Sequence, residues 1–401
     1  MKTIARVTLI TLAVLACRGT SPSAQSISQR QLETLVDSLM PSVAKAAGLA
    51  FKSTPRSAVR TRDQIRAYLI AKMDRELPPS RIEGIGDAYR LLNMIPDTLD
   101  LRKLFLDLYT EQIAGFYDPD STTLFAVQGG DPATLRLVLA HELVHALQHQ
   151  YLPLDSILHD SADADAQAAA QAVLEGQATL ASLVALVPGM DLTTNDAFWT
   201  AFRDQLHAQQ YGTGVYATAP MVIREGLTFP YVDGAEFLRW FDKNHPGEVP
   251  FGAKMPASTE QILHPDRYAS GDLPIRIRFA GDASGVILDD TFGEFDVELL
   301  RAELVGAANV RTDPAIGWGG DRMRVYRSGA GPALVWVTVW DEPRYADQFR
   351  TQIALPLSEH PKSGYRTVVE PQQLGGKAAV RVVVAPTGWN RWKSLPTAEI
   401  R

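Results

Sequence analysis

The chain has 401 residues, 46% of them hydrophobic and 21% charged, an ordinary balance for a globular protein with a substantial core. A net charge of −7 argues against general nucleic-acid binding. The single cysteine excludes a disulfide within the chain.

Lys2 and Arg6 precede an apolar run, Val7–Ala16, that is too short to span a bilayer as a mature helix and reads as an export signal. Cys17 follows Val14-Leu15-Ala16, which resembles the lipobox of bacterial lipoproteins and implies lipid attachment at Cys17. The alternative is ordinary cleavage nearby, leaving a secreted or periplasmic protein. Residues 18–28 are rich in Ser, Thr, Pro and Gln and read as a flexible tether. With 1–17 and 18–28 set aside, the remainder exceeds a single core, so two or three domains are expected.

Residues 29–113 read as helical, with apolar spacing over Gln29–Ala47, Thr61–Leu77, Ser80–Leu92 and Leu99–Ile113. They form a packing scaffold or a lid. Gly115-Phe116-Tyr117-Asp118-Pro119 reads as a turn and Thr122–Val127 as a strand.

Next comes an apolar, proline-free run, Leu135–Leu147, that reads as helix and carries His141, Glu142 and His145. Residues four apart lie about 6 Å apart in rise and roughly 40° in rotation, so two imidazoles can meet at one metal ion. Glu142 points about 100° away from His141, better placed to hold a water than to ligate the ion, and is the candidate general base. His149 lies about 12 Å of helix rise beyond His141, out of reach of the same ion, and reads as a surface residue. The third ligand is expected from Glu175, on a second helix at about Ala162–Val187 whose alanines allow close approach. Asp163, Asp165, Glu175 and several glutamines mark that helix as buried in a fold rather than in a membrane. Two imidazoles, one carboxylate and an open position suit catalytic zinc, Zn2+.

Asn195–Gln210 reads as helix, Gly212–Tyr216 as loop, and Tyr231 as part of a Gly/Pro-bounded turn before a helix at Ala235–Asn244. Tyr231 is the first candidate to stabilise an oxyanion opposite the metal; His264, Tyr216 and Tyr268 are alternatives, and each is otherwise a structural residue. Ser258–Gln261 caps a short helix before His264-Pro265. From about Leu273 the texture becomes mixed: strands at Ile275–Phe279, Asp321–Arg327, Ala333–Trp340, Tyr365–Val369 and Ala378–Val384, and helices at Glu294–Ala307 and Pro343–Ile353. Trp318, Trp336, Trp340, Trp389 and Trp392 either line a surface or fill a core.

The strings GFYDP (115–119), HELVHALQ (141–148), LEGQAT (174–179) and STEQILHP (258–265) resemble a family of exported bacterial and archaeal predicted metallopeptidases. The His-Glu-x-x-His motif with a later helical glutamate is similar to the gluzincin metallopeptidases. The resemblance covers about Tyr109–Tyr268, and more faintly GWGGDR (317–322). It implies His141, His145 and Glu175 as metal ligands, Glu142 as base and zinc-dependent peptide-bond hydrolysis. It also implies that Leu124–Val127 is an edge along which an extended substrate lies; the other reading is an internal strand. Many gluzincins carry an aspartate four residues after the ligand glutamate; Thr179 stands there, leaving that role unassigned.

The expected fold is α+β: N-terminal helices (29–113), a mainly helical zincin-like catalytic domain (114–270) and a smaller mixed α+β domain (271–401). The expected partner is a peptide or protein substrate, with no nucleic acid and membrane contact only through the lipid anchor; oligomeric state is unknown. The alternative is an exported surface lipoprotein with a structural or vestigial metal site, acting as a binding module. A closed fourth ligand from Asp160, Asp163 or His264 would favour it. Another amide, such as cell-wall peptide, is a further substrate the motif admits.

Overall fold

A computed structural model describes residues 27–129, 131–159, 163–306, 317–359 and 361–401. The expected export signal, Cys17, most of the expected tether and Asp160 lie outside them. Within them the chain is a mixed α+β protein, about 53% helix and 18% strand.

Ser28 opens the first helix, α1 (Gln29–Ala47), with a capping box in which the Ser28 and Gln31 side chains each accept the other's backbone N–H. There follow β1 (Arg56–Arg60), α2 (Arg62–Glu76), α3 (Pro79–Leu91), α4 (Leu101–Gln112), β2 (Gly115–Asp118) and β3 (Thr123–Val127). The central helices are α5 (Pro132–His149), α6 (Leu154–His159), α7 (Ala164–Leu186), α8 (Asp196–Ala208), α9 (Val215–Thr218), α10 (Met221–Asn244), α11 (Thr259–Leu263) and α12 (Pro265–Ser270). The chain ends with β4 (Ile277–Ala280), β5 (Val286–Asp290), α13 (Glu294–Leu304), β6 (Trp318–Tyr326), β7 (Ala333–Trp340), α14 (Pro343–Phe349), α15 (Leu355–Glu359), β8 (Tyr365–Leu374), β9 (Lys377–Pro386) and β10 (Thr397–Ile400).

Several boundaries differ from expectation. The 29–113 stretch is not all helix: Arg56–Arg60 forms β1, parallel to β3 with Arg56 opposite Thr123. Gly115–Asp118 is a strand rather than a turn, antiparallel to β3. The order β1-β3-β2 makes β3 the middle strand, so Leu124–Val127 is paired on both sides and is not the substrate edge. Val215–Thr218 is helical where a loop was expected. Pro343–Ile353 breaks into α14 and a π-turn at Arg350–Ala354 that leads to α15.

The C-terminal half centres on a five-stranded antiparallel sheet, order β5-β6-β7-β9-β8. Trp318, Trp336, Trp340 and Trp389 are buried, in keeping with the core reading. One apolar cluster runs from Ile65 on α2 to Val384 on β9, so residues on both sides of position 270 share a core. A second holds α1, through Leu32, Val36, Leu39 and Val43, against Leu139, Leu143 and Leu147 of α5 and Ala178 and Ala181 of α7.

α7 is long and apolar enough to cross a membrane by length and composition, and most of it is buried inside the molecule. Its first turn is held by the C-terminal half. Asp290 Oδ1 accepts from the Ala164 N–H at 2.8 Å, and the Asp165 N–H donates to Thr291 Oγ1 at 3.1 Å. Asp165 in turn accepts from the N–H and hydroxyl of Thr259, at 2.9 and 2.5 Å. These bonds satisfy N–H groups that a helix start leaves without partners.

Candidate metal centre

α5 begins cleanly, with Asp131 accepting from the Thr134 N–H at 2.8 Å and Pro132 in the first turn. Nine residues on, it delivers His141, Glu142 and His145, all buried. α7 crosses α5 and presents the buried Glu175. His141 Nε2 lies 3.1 Å from Glu175 Oε2, His145 Nε2 3.1 Å from His141 Nε2, and His145 Nε2 3.4 Å from Glu175 Oε2. Four donors around an ion at about 2.0 Å in a tetrahedron stand about 3.3 Å apart. The triangle therefore has the size of one face of a tetrahedral zinc site, and the donor set fits that ion.

Electrostatics point the same way. Burial pulls the His141 imidazole below its usual value, outweighing the Glu175 carboxylate. Burial also opposes charge on His145, but Glu175 and Glu142 beside it raise it to about 9. Burial would likewise raise Glu175; the charge on His145 and hydrogen bonds from both histidines bring it down to about 2. A buried carboxylate at this place demands a cation. Without metal, the His145 imidazolium supplies it.

Glu142 is fixed from the neighbouring strand: the Tyr117 N–H donates to Glu142 Oε2 at 2.8 Å. The Val127 N–H donates to the Ala114 carbonyl, so by the alternation of an antiparallel ladder the main-chain groups of Gly115 and Tyr117 face away from β3. The sheet edge beside the site is β2, not β3, and its four residues are buried. His149, expected at the surface, is half-buried and its Nδ1 pairs with the Tyr117 hydroxyl at 2.9 Å.

Tyr231 stands at the centre, though not in a turn. α10 runs unbroken through Pro230 and Gly234, and Tyr231 is on its buried face, stacked on His141 with ring centroids 5.8 Å apart. Its hydroxyl bonds to Glu175, and burial together with the charges of Glu175 and Glu142 pushes its ionisation well above the usual value, so it stays a proton donor. The alternatives are engaged elsewhere: Tyr268 donates to the Lys254 carbonyl, His264 pairs with Glu294, and Tyr216 joins the apolar core.

Two features escaped the sequence reading. Gln148 accepts from His145 Nδ1 at 2.8 Å and donates to the Leu174 carbonyl and Gln177 Oε1, both at 2.9 Å. It thus fixes the tautomer that turns the His145 Nε2 lone pair to the site, while Thr179 stays buried without a partner for its hydroxyl. The second is a glycine contact. A Cβ on Gly176 would meet the Gly234 backbone at 2.3 Å, and one on Gly234 would meet the Ala172 carbonyl oxygen at 2.0 Å. Only glycine lets α7 and α10 touch backbone to backbone, bringing Glu175 and Tyr231 together.

Residues 264–389 match the family described as Domain of unknown function (DUF8575), a match that covers under a third of the chain, in its C-terminal part, and excludes the triad. No curated protein and no solved structure matches the chain.

Proposed function

We propose that this chain is a gluzincin-type zinc metallopeptidase with a zincin-like catalytic region built on α5, α7 and α10, acting on peptides or proteins. The observation that carries the reading is the donor triangle of His141, His145 and Glu175, with edges of 3.1, 3.1 and 3.4 Å and Glu142 one residue from the first ligand. Export, and lipid attachment at Cys17, belong to the same proposal.

A bound zinc ion would polarise the scissile carbonyl and acidify the attacking water. Glu142, steadied by the Tyr117 N–H, takes the proton from that water and hands it to the leaving amine. Tyr231, kept protonated by burial, donates to the developing oxyanion. An extended peptide laid along β2 would pair with the main-chain groups of Gly115 and the carbonyl of Tyr117, whose N–H is taken by Glu142, which asks little of its side chains. Of the residues that would close the site, Asp163 caps α7 at the Ala166 N–H and His264 pairs with Glu294, which favours the catalytic reading over the closed site of a binding module.

The test is metal content and cleavage together. Purified protein should lose one zinc equivalent and its activity on a peptide library when Glu175 is replaced by Ala. Retention of every equivalent in Glu175→Ala would sink this ligand set.

A further inference from the structure

Near the first turn of α7, where Asp165 meets Thr259 and Gly293, a second set of ligating side chains converges. Glu294 and Glu298 lie four residues apart on α13, the spacing that puts both on one face of a helix. His264 sits at the joint between α11 and α12, held by its N–H to the Glu260 carbonyl at 2.8 Å and by its carbonyl to the Arg267 N–H at 2.9 Å. Its Nε2 lies 3.1 Å from Glu294 Oε1, and one donor atom from each of the three residues falls within 4.8 Å of the others.

We propose that His264, Glu294 and Glu298 form a second cation site, which takes a divalent transition-metal ion such as zinc or manganese and ties α13 to the α11–α12 joint. The independent observation is Glu294 itself. Its side chain is fully buried, one oxygen faces His264, and the other, Oε2, has no hydrogen-bond partner. A buried carboxylate oxygen with no donor is costly; an ion bridging the three side chains removes that cost.

The imidazole at the His264 site argues against calcium and magnesium, which favour all-oxygen shells, while two carboxylates and one nitrogen suit zinc or manganese. The site is also built without the ion: Asp321 accepts from the N–H groups of Phe292 and Gly293 at 2.9 and 2.8 Å, which fixes the start of α13. The His264 side chain is 27% exposed, so an ion can reach it.

The experiment is a titration of the metal-free full chain with Zn2+, and separately with Mn2+ followed by electron paramagnetic resonance. Two zinc equivalents are expected, with Glu298→Gln removing one and Glu175→Ala removing the other. Should Glu298→Gln fail to fold by circular dichroism, His264→Gln carries the same readout. Both equivalents surviving the substitution at 298 or 264 would overturn the proposal and leave Glu294 as a neutral acid donating to His264. So would a wild-type chain that binds no more than Glu175→Ala loses. If only the triad fails, Glu175→Ala changes nothing while Glu298→Gln still loses its equivalent, so the two failures are distinguishable.

Discussion

His145 Nδ1 and Gln148 Oε1 are 2.8 Å apart, one turn of α5 from each other, and the same Gln148 amide reaches across to the Leu174 carbonyl at 2.9 Å, next to Glu175. One side chain thus sets the orientation of one ligand and ties its helix to the backbone beside another. Gln148→Leu should weaken zinc binding by roughly 10- to 100-fold, read by competition with a chromophoric chelator, while Gln148→Glu, which keeps the acceptor, should lose less. Equal affinity for wild type and Gln148→Leu would remove Gln148 from the site.

On the proposed reading, the buried pair makes metal binding depend on pH. His145 is raised from 6.5 to about 9, so its contribution to the metal-free fold is complete below pH 6.5 and is lost as pH rises through 9. Glu175 is lowered from 4.5 to about 2, so its contribution is present above pH 4.5 and is lost as pH falls through 2. From this pair, the metal-free protein is most stable between those limits, near pH 4.5–6.5. Zinc has to displace the His145 proton, so its affinity should climb by up to about tenfold per pH unit and level off near 9. Chelator competition from pH 6 to 10 reads this directly; a flat profile between 6 and 8 would contradict the ion pair.

Gly234→Ala tests the crossing of α7 and α10. The added Cβ would sit 2.0 Å from the Ala172 carbonyl oxygen, backbone that cannot yield without moving the helix. Destabilisation on the order of 1–3 kcal/mol is expected in urea unfolding, together with weaker zinc binding as Glu175 is displaced. Gly226→Ala, in the same helix but with open space around it, is the control and should be neutral or slightly stabilising.

Tyr231→Phe keeps the ring that stacks on His141 and removes the hydroxyl. On the proposed mechanism kcat should fall by roughly 10²- to 10³-fold with KM and zinc content little altered. A loss of zinc with kcat per bound zinc unchanged would make Tyr231 a support for Glu175 instead.

Much of the centre was legible because its logic is local. His141, Glu142 and His145 need only one helix, and Glu175 needs only a second helix able to pack on it. What was not legible depends on partners far along the chain. β1 is five residues, and it becomes a strand only because β3, about 67 positions later, lies alongside it; the edge role passed to β2 for the same reason. Pro230 and Gly234 read as helix breakers, yet α10 runs through both because its buried face, from Phe229 to Phe241, packs on α7 and outweighs local preference. Gln148 looks like any polar residue at a helix end until Gln177 and Leu174 are seen beside it.

The most direct measurement is cleavage of an unstructured protein, such as casein, by zinc-loaded wild type and by Glu142→Gln at matched zinc content. Turnover by wild type and a loss of roughly 10²- to 10⁴-fold in Glu142→Gln, with zinc retained in both, is the expected result. Equal cleavage by the two proteins would contradict Glu142 as base, and no cleavage by a fully zinc-loaded wild type would contradict peptide hydrolysis at this site.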